Sequence, residues 1–297
     1  MSAISLKSHN TLRLDSSCLR LFAPLDTDEL VSFYRKLDNP IILGNGSNVI
    51  LASKIMNDVI VTGGLDAINI DSPTVYAQGG VKTISLSQKA LNEELSGFEF
   101  LIGIPGSLGG AVLMNASAHN QSISDFLIFC DAYDKEKDEI VRIEKRDCGF
   151  SYRSSIFKKN DKYIILGACF ELKKSEKGLM LEMMNENIAF RKEKQPKLSL
   201  PNAGSIFKNP ENDSAGRLLD ECGMKGETVG GAKVWEGHAN FIVNTGSANS
   251  TDISQLMFKM YNSVREKFGI ELESEVLFVG EKNDIEREIW DIMLRNK

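Results

Sequence analysis

The chain has 297 residues, 42% of them apolar, and a formal net charge of −6 from 35 basic and 41 acidic side chains. That is enough for two domains or one lobed domain, and the lack of a basic tract or stripe argues against a nucleic-acid partner. No apolar run approaches the ~18 residues of a membrane span, and MSAISLKSHNTLRLD lacks the apolar stretch of a signal peptide, so a cytoplasmic protein with no membrane partner is expected.

In chain order, TDELVSFYRKL (27–37) places Leu30, Val31, Phe33, Tyr34 and Leu37 at helical spacing behind a Thr27 cap. Pro40 then leads into IILGNGSNVIL, a strand, a glycine turn and a second strand. Between 59 and 90, VIVTGG, INID and TVYAQGG read as short strands followed by a helix. A glycine-dense stretch (97–115) precedes further strands, FLIFCDAYD and YIILGACFEL. Residues 180–194 read as a helix that Pro196 and Pro201 cannot continue, and the domain boundary is expected near 175–200.

Beyond it, Ala215, Leu218, Leu219 and Cys222 recur at i, i+3, i+4, i+7 before Gly223. Ile253, Leu256, Met257, Met260, Tyr261, Val264 and Phe268 do the same before Gly269, so both segments should be helices with glycine stops. IELESEVLFVG reads as the last strand and residues 285–295 as a terminal helix. Five scattered cysteines without a C-x-x-C read as core residues of a reducing compartment. His9, His119 and His238 show no metal-ligand spacing, and no metal site is expected.

Two glycine loops carry the binding signal. In GNGSN (44–48) the third glycine of a dinucleotide fingerprint is missing and a strand follows in place of a helix, so a classical Rossmann site is not expected. The loop is either a plain turn or a nest of successive N–H groups suited to phosphate. In IPGSLGGAVLMN (104–115), Gly106, Gly109 and Gly110 permit close approach either of a flat ligand or of neighbouring backbone. Together the loops favour a large ligand with a pyrophosphate.

ILGNGSN, IPGSLGGAVLMNAS, FSYRSSIFK, NAGSIFKNP, AGRLLDECGMKG, GGAKVWEGHANFIVN and LESEVLFVG occur in an order that resembles the UDP-N-acetylenolpyruvoylglucosamine reductases, flavoenzymes that complete UDP-N-acetylmuramate for peptidoglycan. The resemblance runs from about residue 9 to 281. It implies an α+β fold: an FAD-binding domain of the vanillyl-alcohol oxidase / p-cresol methylhydroxylase type over 1–175 (lobes 1–66 and 67–175), a smaller α+β substrate domain over 176–281, and a terminal helix over 282–297. It further implies non-covalent FAD against Gly44, Asn45, Gly46, Ser47, Asn48, Ile104, Pro105, Gly106, Gly109, Gly110, Ala111 and Asn115. NADPH would be the hydride donor and the enolpyruvyl ether of UDP-N-acetylglucosamine the acceptor, in a monomer.

By position, Arg153, Ser205 and Glu275 match the family's catalytic three. Arg191, Lys194, Lys208, Asn209 and His238 fall beside the substrate. The chain departs from the family pattern at Ser117-Ala118-His119-Asn120, usually Gly-Ala-Tyr-Gly, at Ser274 for proline and at Leu277 for arginine. It is also too short before residue 190 for the tyrosine-bearing flap of one subclass.

The residue chemistry agrees. Arg153 offers a permanently charged planar fork for a carboxylate or enolate, or else a surface ion pair. Strand alternation puts Glu275 where an acidic face turns apolar, which would raise its pKa and suit an acid role, unless it is a solvated edge charge. Arg191 and Lys194, three apart, can bind a diphosphate or merely complement a helix dipole. Ser205 has no histidine base in sequence reach, so proton donation fits it better than nucleophilic attack, with Lys208 or a main-chain donor to stabilise the alkoxide. A flavin oxidase and a flavin-free nucleotide-sugar binder are the competing readings. The phosphate-binding features of 191–210 argue against the first, and a yellow preparation would exclude the second.

Overall fold

The computed structural model describes residues 2–294, and its chain groups by contacts into two compact units. One comprises residues 1–21, 46–59 and 192–297, and the other 22–45 and 60–191. The sequence break at 191/192 falls within the helix Lys177–Lys194, and the N-terminal segments group with the C-terminal third.

The first unit is built on an antiparallel sheet in the order Asn202–Ser205, Phe241–Asn244, Ala232–Val234, Thr228–Val229. A separate parallel pair joins Val49–Leu51 to Leu277–Val279. The helix Ser250–Phe268 buries Ile253, Leu256, Met257, Met260, Tyr261 and Val264, the stripe that the periodicity predicts. It begins in a capping box between Asn249 and Asp252 and ends at Gly269 with φ 68°. The expected helices at 214–222 and 285–295 are Ala215–Glu221 and Asp284–Leu294, and residues 295–297 lie outside the described residues.

The terminal helix is part of this unit's core. Ile289, Trp290 and Met293 are buried with Leu256, Met257 and Met260, and Trp290 Nε1 donates to Ser254 Oγ at 3.0 Å. Glu286, 1% exposed, accepts from Ser250 Oγ (2.5 Å), Thr251 Oγ1 (2.9 Å) and the Asn283 N–H (2.9 Å).

The second unit holds a five-stranded sheet in the order Glu139–Glu144, Leu127–Asp134, Tyr163–Glu171, Thr74–Gln78, Ile68–Asp71, antiparallel throughout. Phe98, Phe100, Leu108, Val112 and Phe170 belong to its main core. The helix Thr27–Lys36 buries Leu30 and Val31 against Ile60, Leu65 and Tyr133. Its N-cap is Asp26, not Thr27: Asp26 Oδ1 accepts from the Glu29 N–H at 2.8 Å, and a carboxylate is the stronger acceptor at a helix start.

The last strand is shorter than expected. Only Leu277–Val279 is regular, because the partner Val49–Leu51 offers three residues. Residues 273–275 instead form an isolated bridge, Phe207 with Ser274. The alternation survives: Leu272, Ser274 and Val276 are buried while Glu273 and Glu275 are half-exposed. Four of the five cysteines are buried and all are free, as core residues should be.

Replacing Glu286 by alanine strands two hydroxyls and an N–H at the helix junction. Glu286→Ala should cost roughly 2–4 kcal/mol, read as a lower urea midpoint with an unchanged slope.

Candidate active site

In the first unit the stretch NAGS forms a bulged strand. The pairing register shifts between Asn202 and Ser205, and Gly204 takes φ 77° with its N–H on Asn202 Oδ1 at 3.0 Å. A Cβ on Gly204 would meet nothing within 4 Å, so it is the left-handed backbone that calls for glycine. A bulge there re-aims the next side chain, Ser205, which is half-buried.

Immediately after it the chain is clasped on both sides. Ile206 N–H donates to Asn240 O (2.9 Å), and the buried Asn240 amide bonds both main-chain groups of Phe207. Opposite, Glu275 N–H donates to Ile206 O and Lys208 N–H to Glu273 O, both at 2.8 Å. Ser205 and Glu275 thus lie on neighbouring segments, with Glu275 bonded to the residue after Ser205.

The GNGSN turn belongs to the same arrangement from Gly46 onward. Asn48 Nδ2 donates to Glu275 O at 3.1 Å, and Leu277 N–H to Asn48 O at 3.0 Å. Gly46 has φ 61°, and a Cβ on it would lie 2.2 Å from the His9 carbonyl oxygen. The N–H groups of Gly46, Ser47 and Asn48 have no internal acceptor among the described residues.

Other expected substrate residues in this unit already hold structural contacts. Lys208 Nζ pairs with Glu273 Oε1 at 2.6 Å, Asn209 Oδ1 accepts from the Ala215 N–H at 3.1 Å, and Lys194 Nζ pairs with Glu193 at 2.6 Å. His238 packs on Gly216, where a Cβ would come within 2.5 Å of its ring, and its Nδ1 accepts from the Asn240 N–H at 3.2 Å. Burial, then the Lys225 charge, lowers its pKa below 6.5 against an opposing pull from Asp220. Ser274, where the family pattern has proline, is buried with Oγ donating to Val276 O at 2.8 Å.

In the second unit the IPGSLGG loop is packed against other main chain. Gly109 N–H donates to Gly79 O (2.8 Å), and a Cβ on Gly109 would lie 3.2 Å from that oxygen. A Cβ on Gly44 would lie 2.3 Å from Ser107 Oγ. The smallness of Gly44 and Gly109 is therefore accounted for by loop packing. Thr83 bonds the carbonyls of Ile104 and Gly106 on either side of Pro105, and Ala111 N–H donates to Ser107 O. The N–H groups of Gly106 and Ser107 carry no internal acceptor among the described residues, and Gly110 is exposed.

Asn45 follows Gly44, half-buried. Asn115 spends its amide internally, Nδ2 on Ser151 O (3.1 Å) and Oδ1 under the Ser124 N–H (3.3 Å). Arg153 is half-buried, and its Nη1 donates to Ser117 Oγ at 2.9 Å. Arg191 Nε donates to Gly103 O at 2.7 Å, and burial holds its pKa below that of a free guanidinium. Its side chain thus braces the residue before Ile104, a contact that helix periodicity could not foresee. Ser117 and Glu273 were not among the expected site residues. Only the departure from the family pattern pointed to Ser117, and nothing local marks Glu273 as the partner of Lys208.

Residues 195–279 match the UDP-N-acetylenolpyruvoylglucosamine reductase C-terminal domain, and residues 20–144 match an FAD binding domain. The UDP-N-acetylenolpyruvoylglucosamine reductase of Caldicellulosiruptor bescii is 38% identical over 283 residues, 93% of this chain and 89% of that one. The chain belongs to the UDP-N-acetylenolpyruvoylglucosamine reductase family. The Listeria monocytogenes member is 41% identical, with 86% of each chain covered. The crystal structure of the Thermus caldophilus member superposes with a TM-score of 0.81 at 31% identity, over 94% of this chain and 98% of that one.

The family makes the protein an FAD-binding oxidoreductase with the α+β fold that the resemblance implied. The residues present fit the cofactor. Within the first unit the consecutive N–H groups of 46–48, and within the second the pair at 106–107, have no internal acceptors among the described residues, and N–H groups of this kind suit phosphate oxygens.

Gly46→Ala forces an L-residue into φ 61° against the His9 carbonyl, at about 1–2 kcal/mol for the backbone alone. The purified variant should carry less FAD, read as a lower ratio of flavin to protein absorbance. His238 should stay neutral below pH 6.5, followed by its NMR titration. Since the unfolded chain takes up that proton first, acidification below 6.5 should cost stability, less so in His238→Gln.

Proposed function

We propose that the chain reduces the enolpyruvyl ether of UDP-N-acetylglucosamine to UDP-N-acetylmuramate, with NADPH as donor, as a cytoplasmic monomer in peptidoglycan precursor synthesis. On this reading residues 1–175 serve FAD, 176–281 serve the UDP-sugar and 282–297 close the chain. The observation that supports it most is the bulge that re-aims Ser205 beside the segment carrying Glu275.

Bound FAD would supply the hydride chemistry that links the nicotinamide to the enolpyruvyl group. The work of the protein is to manage the negative charge that this leaves beside a carboxylate. The Arg153 guanidinium stabilises the enolate oxygens, and Glu275, in its protonated form, donates a hydrogen bond to them. Ser205 delivers the proton to carbon. A serine hydroxyl is a poor acid in water, but carbanion character within hydrogen-bond reach makes the transfer feasible.

Because Lys208 is paired with Glu273, a main-chain N–H is the better stabiliser of the Ser205 alkoxide than its ammonium. Arg191 and Lys194 serve the UDP diphosphate, Arg191 while braced on Gly103. Asn209 and His238 contact the substrate.

The two half-reactions separate the roles. Ser205→Ala should bind FAD and be reduced by NADPH at nearly the normal rate, while its oxidation by the enolpyruvyl substrate slows at least about 10²-fold. Ser205→Cys should keep part of the rate. Equal loss in both halves, or reoxidation within a few-fold of wild type, would make the serine structural.

A further inference from the structure

Arg153 stands on unfavourable backbone, with φ 53° in a non-glycine residue. The turn is pinned by main-chain bonds between Ser151 and Ser154 (3.0 and 3.2 Å), by Asn115 Nδ2 on Ser151 O (3.1 Å) and by Lys158 Nζ on the Arg153 carbonyl (3.2 Å). Those contacts fix the main chain and leave the side chain its own torsions. The guanidinium is held separately, by Nη1 donating to Ser117 Oγ at 2.9 Å and to the Ser117 carbonyl at 3.3 Å.

Ser117 is itself placed by a small antiparallel hairpin, Ser117–Ala118 with Gln121–Ser122. Its two turn residues, His119 and Asn120, both have positive φ (52° and 60°), as tight hairpin turns require. The His119 ring sits edge-on to Phe190, centroids 5.3 Å apart, which anchors the hairpin tip to the helix Lys177–Lys194. Serine here replaces a residue that is glycine in the family pattern, and glycine has no hydroxyl to offer.

We propose that Ser117 is a positioning residue for the reduction: its hydroxyl selects the Arg153 rotamer that meets the developing negative charge. This rests on the assignment of Arg153 to the enolate. An arginine loses rotamer freedom when it is held in one geometry. Holding it before substrate arrives leaves less to be lost in the transition state.

The test compares Ser117→Ala, Ser117→Thr, Arg153→Ala and the double variant Ser117→Ala/Arg153→Ala. Each is reduced anaerobically with dithionite, bypassing the nicotinamide, and reoxidised with UDP-N-acetylglucosamine enolpyruvate while flavin absorbance is followed. Ser117→Ala should slow reoxidation about tenfold, the low end for a hydrogen bond to a charged group. Its substrate Kd, read from flavin spectral perturbation, should barely change, and so should FAD content and Tm. Ser117→Thr keeps the hydroxyl and should recover the rate, and in the Arg153→Ala background the loss of Ser117 should add nothing. A fast Ser117→Ala beside a slow Arg153→Ala, or equal slowing in both backgrounds, overturns the proposal alone. Reoxidation of Arg153→Ala at the wild-type rate would remove the Arg153 assignment and the proposal with it. If Ser117→Ala does not fold, Ser117→Gly, which restores the family residue, takes its place with the same expectations.

Discussion

Two main-chain hydrogen bonds, from Glu275 to the Ile206 carbonyl and from Lys208 to the Glu273 carbonyl, clasp the segment after the bulge to the one before the final strand. Asn240 grips Phe207 from the other side, and Asn48 ties the glycine turn to Glu275 and Leu277. The hydroxyl, the carboxylate and the phosphate-suited turn are therefore referred to one another through backbone, which has few soft torsions. Side-chain contacts such as Lys208 with Glu273 reinforce a frame that already exists.

The second unit solves a similar problem with unfavourable backbone. Asn115, His119, Asn120 and Arg153 all have positive φ: His119 and Asn120 turn the hairpin that carries Ser117, Arg153 stands in the turn that meets it there, and Asn115 bonds that turn from the end of the preceding helix. Such residues cost of order 1–3 kcal/mol each and persist only where their surroundings over-determine them. The amide of Asn115 and the ammonium of Lys158 supply that over-determination.

What the sequence made legible was mostly local. The stripe of Ser250–Phe268 and its glycine stop are properties of consecutive residues, and they appear as expected. The cap at Asp26 was missed because two adjacent residues could both cap and only geometry chooses. The final strand was overextended because alternation reports which way side chains face, whereas strand length depends on the partner, here three residues near position 50. Among the site residues, the family motifs drew attention to Ser205, Glu275 and Arg153. Motifs could not show that Arg191 braces Gly103, that Asn209 accepts the Ala215 N–H, or that Gly109 is small because Gly79 approaches it. Those are distances across long loops, which periodicity does not encode.

The grouping of residues 1–21 and 46–59 with 192–297 has a consequence for the order of folding. Val49–Leu51 is made early and its parallel partner Leu277–Val279 almost last. Leu12, Leu14 and Ile50 belong to a core whose other members all come from residue 203 onward. At roughly 5–20 residues per second of synthesis, those early segments wait on the order of tens of seconds for their partners. The stretch 60–191 can meanwhile complete its five-stranded sheet from contiguous sequence. Newly made chains thus pass through a stage in which one unit can be structured while the turn at 44–48 still lacks the segment it will hold, and chaperones have the most apolar surface to shield at that stage.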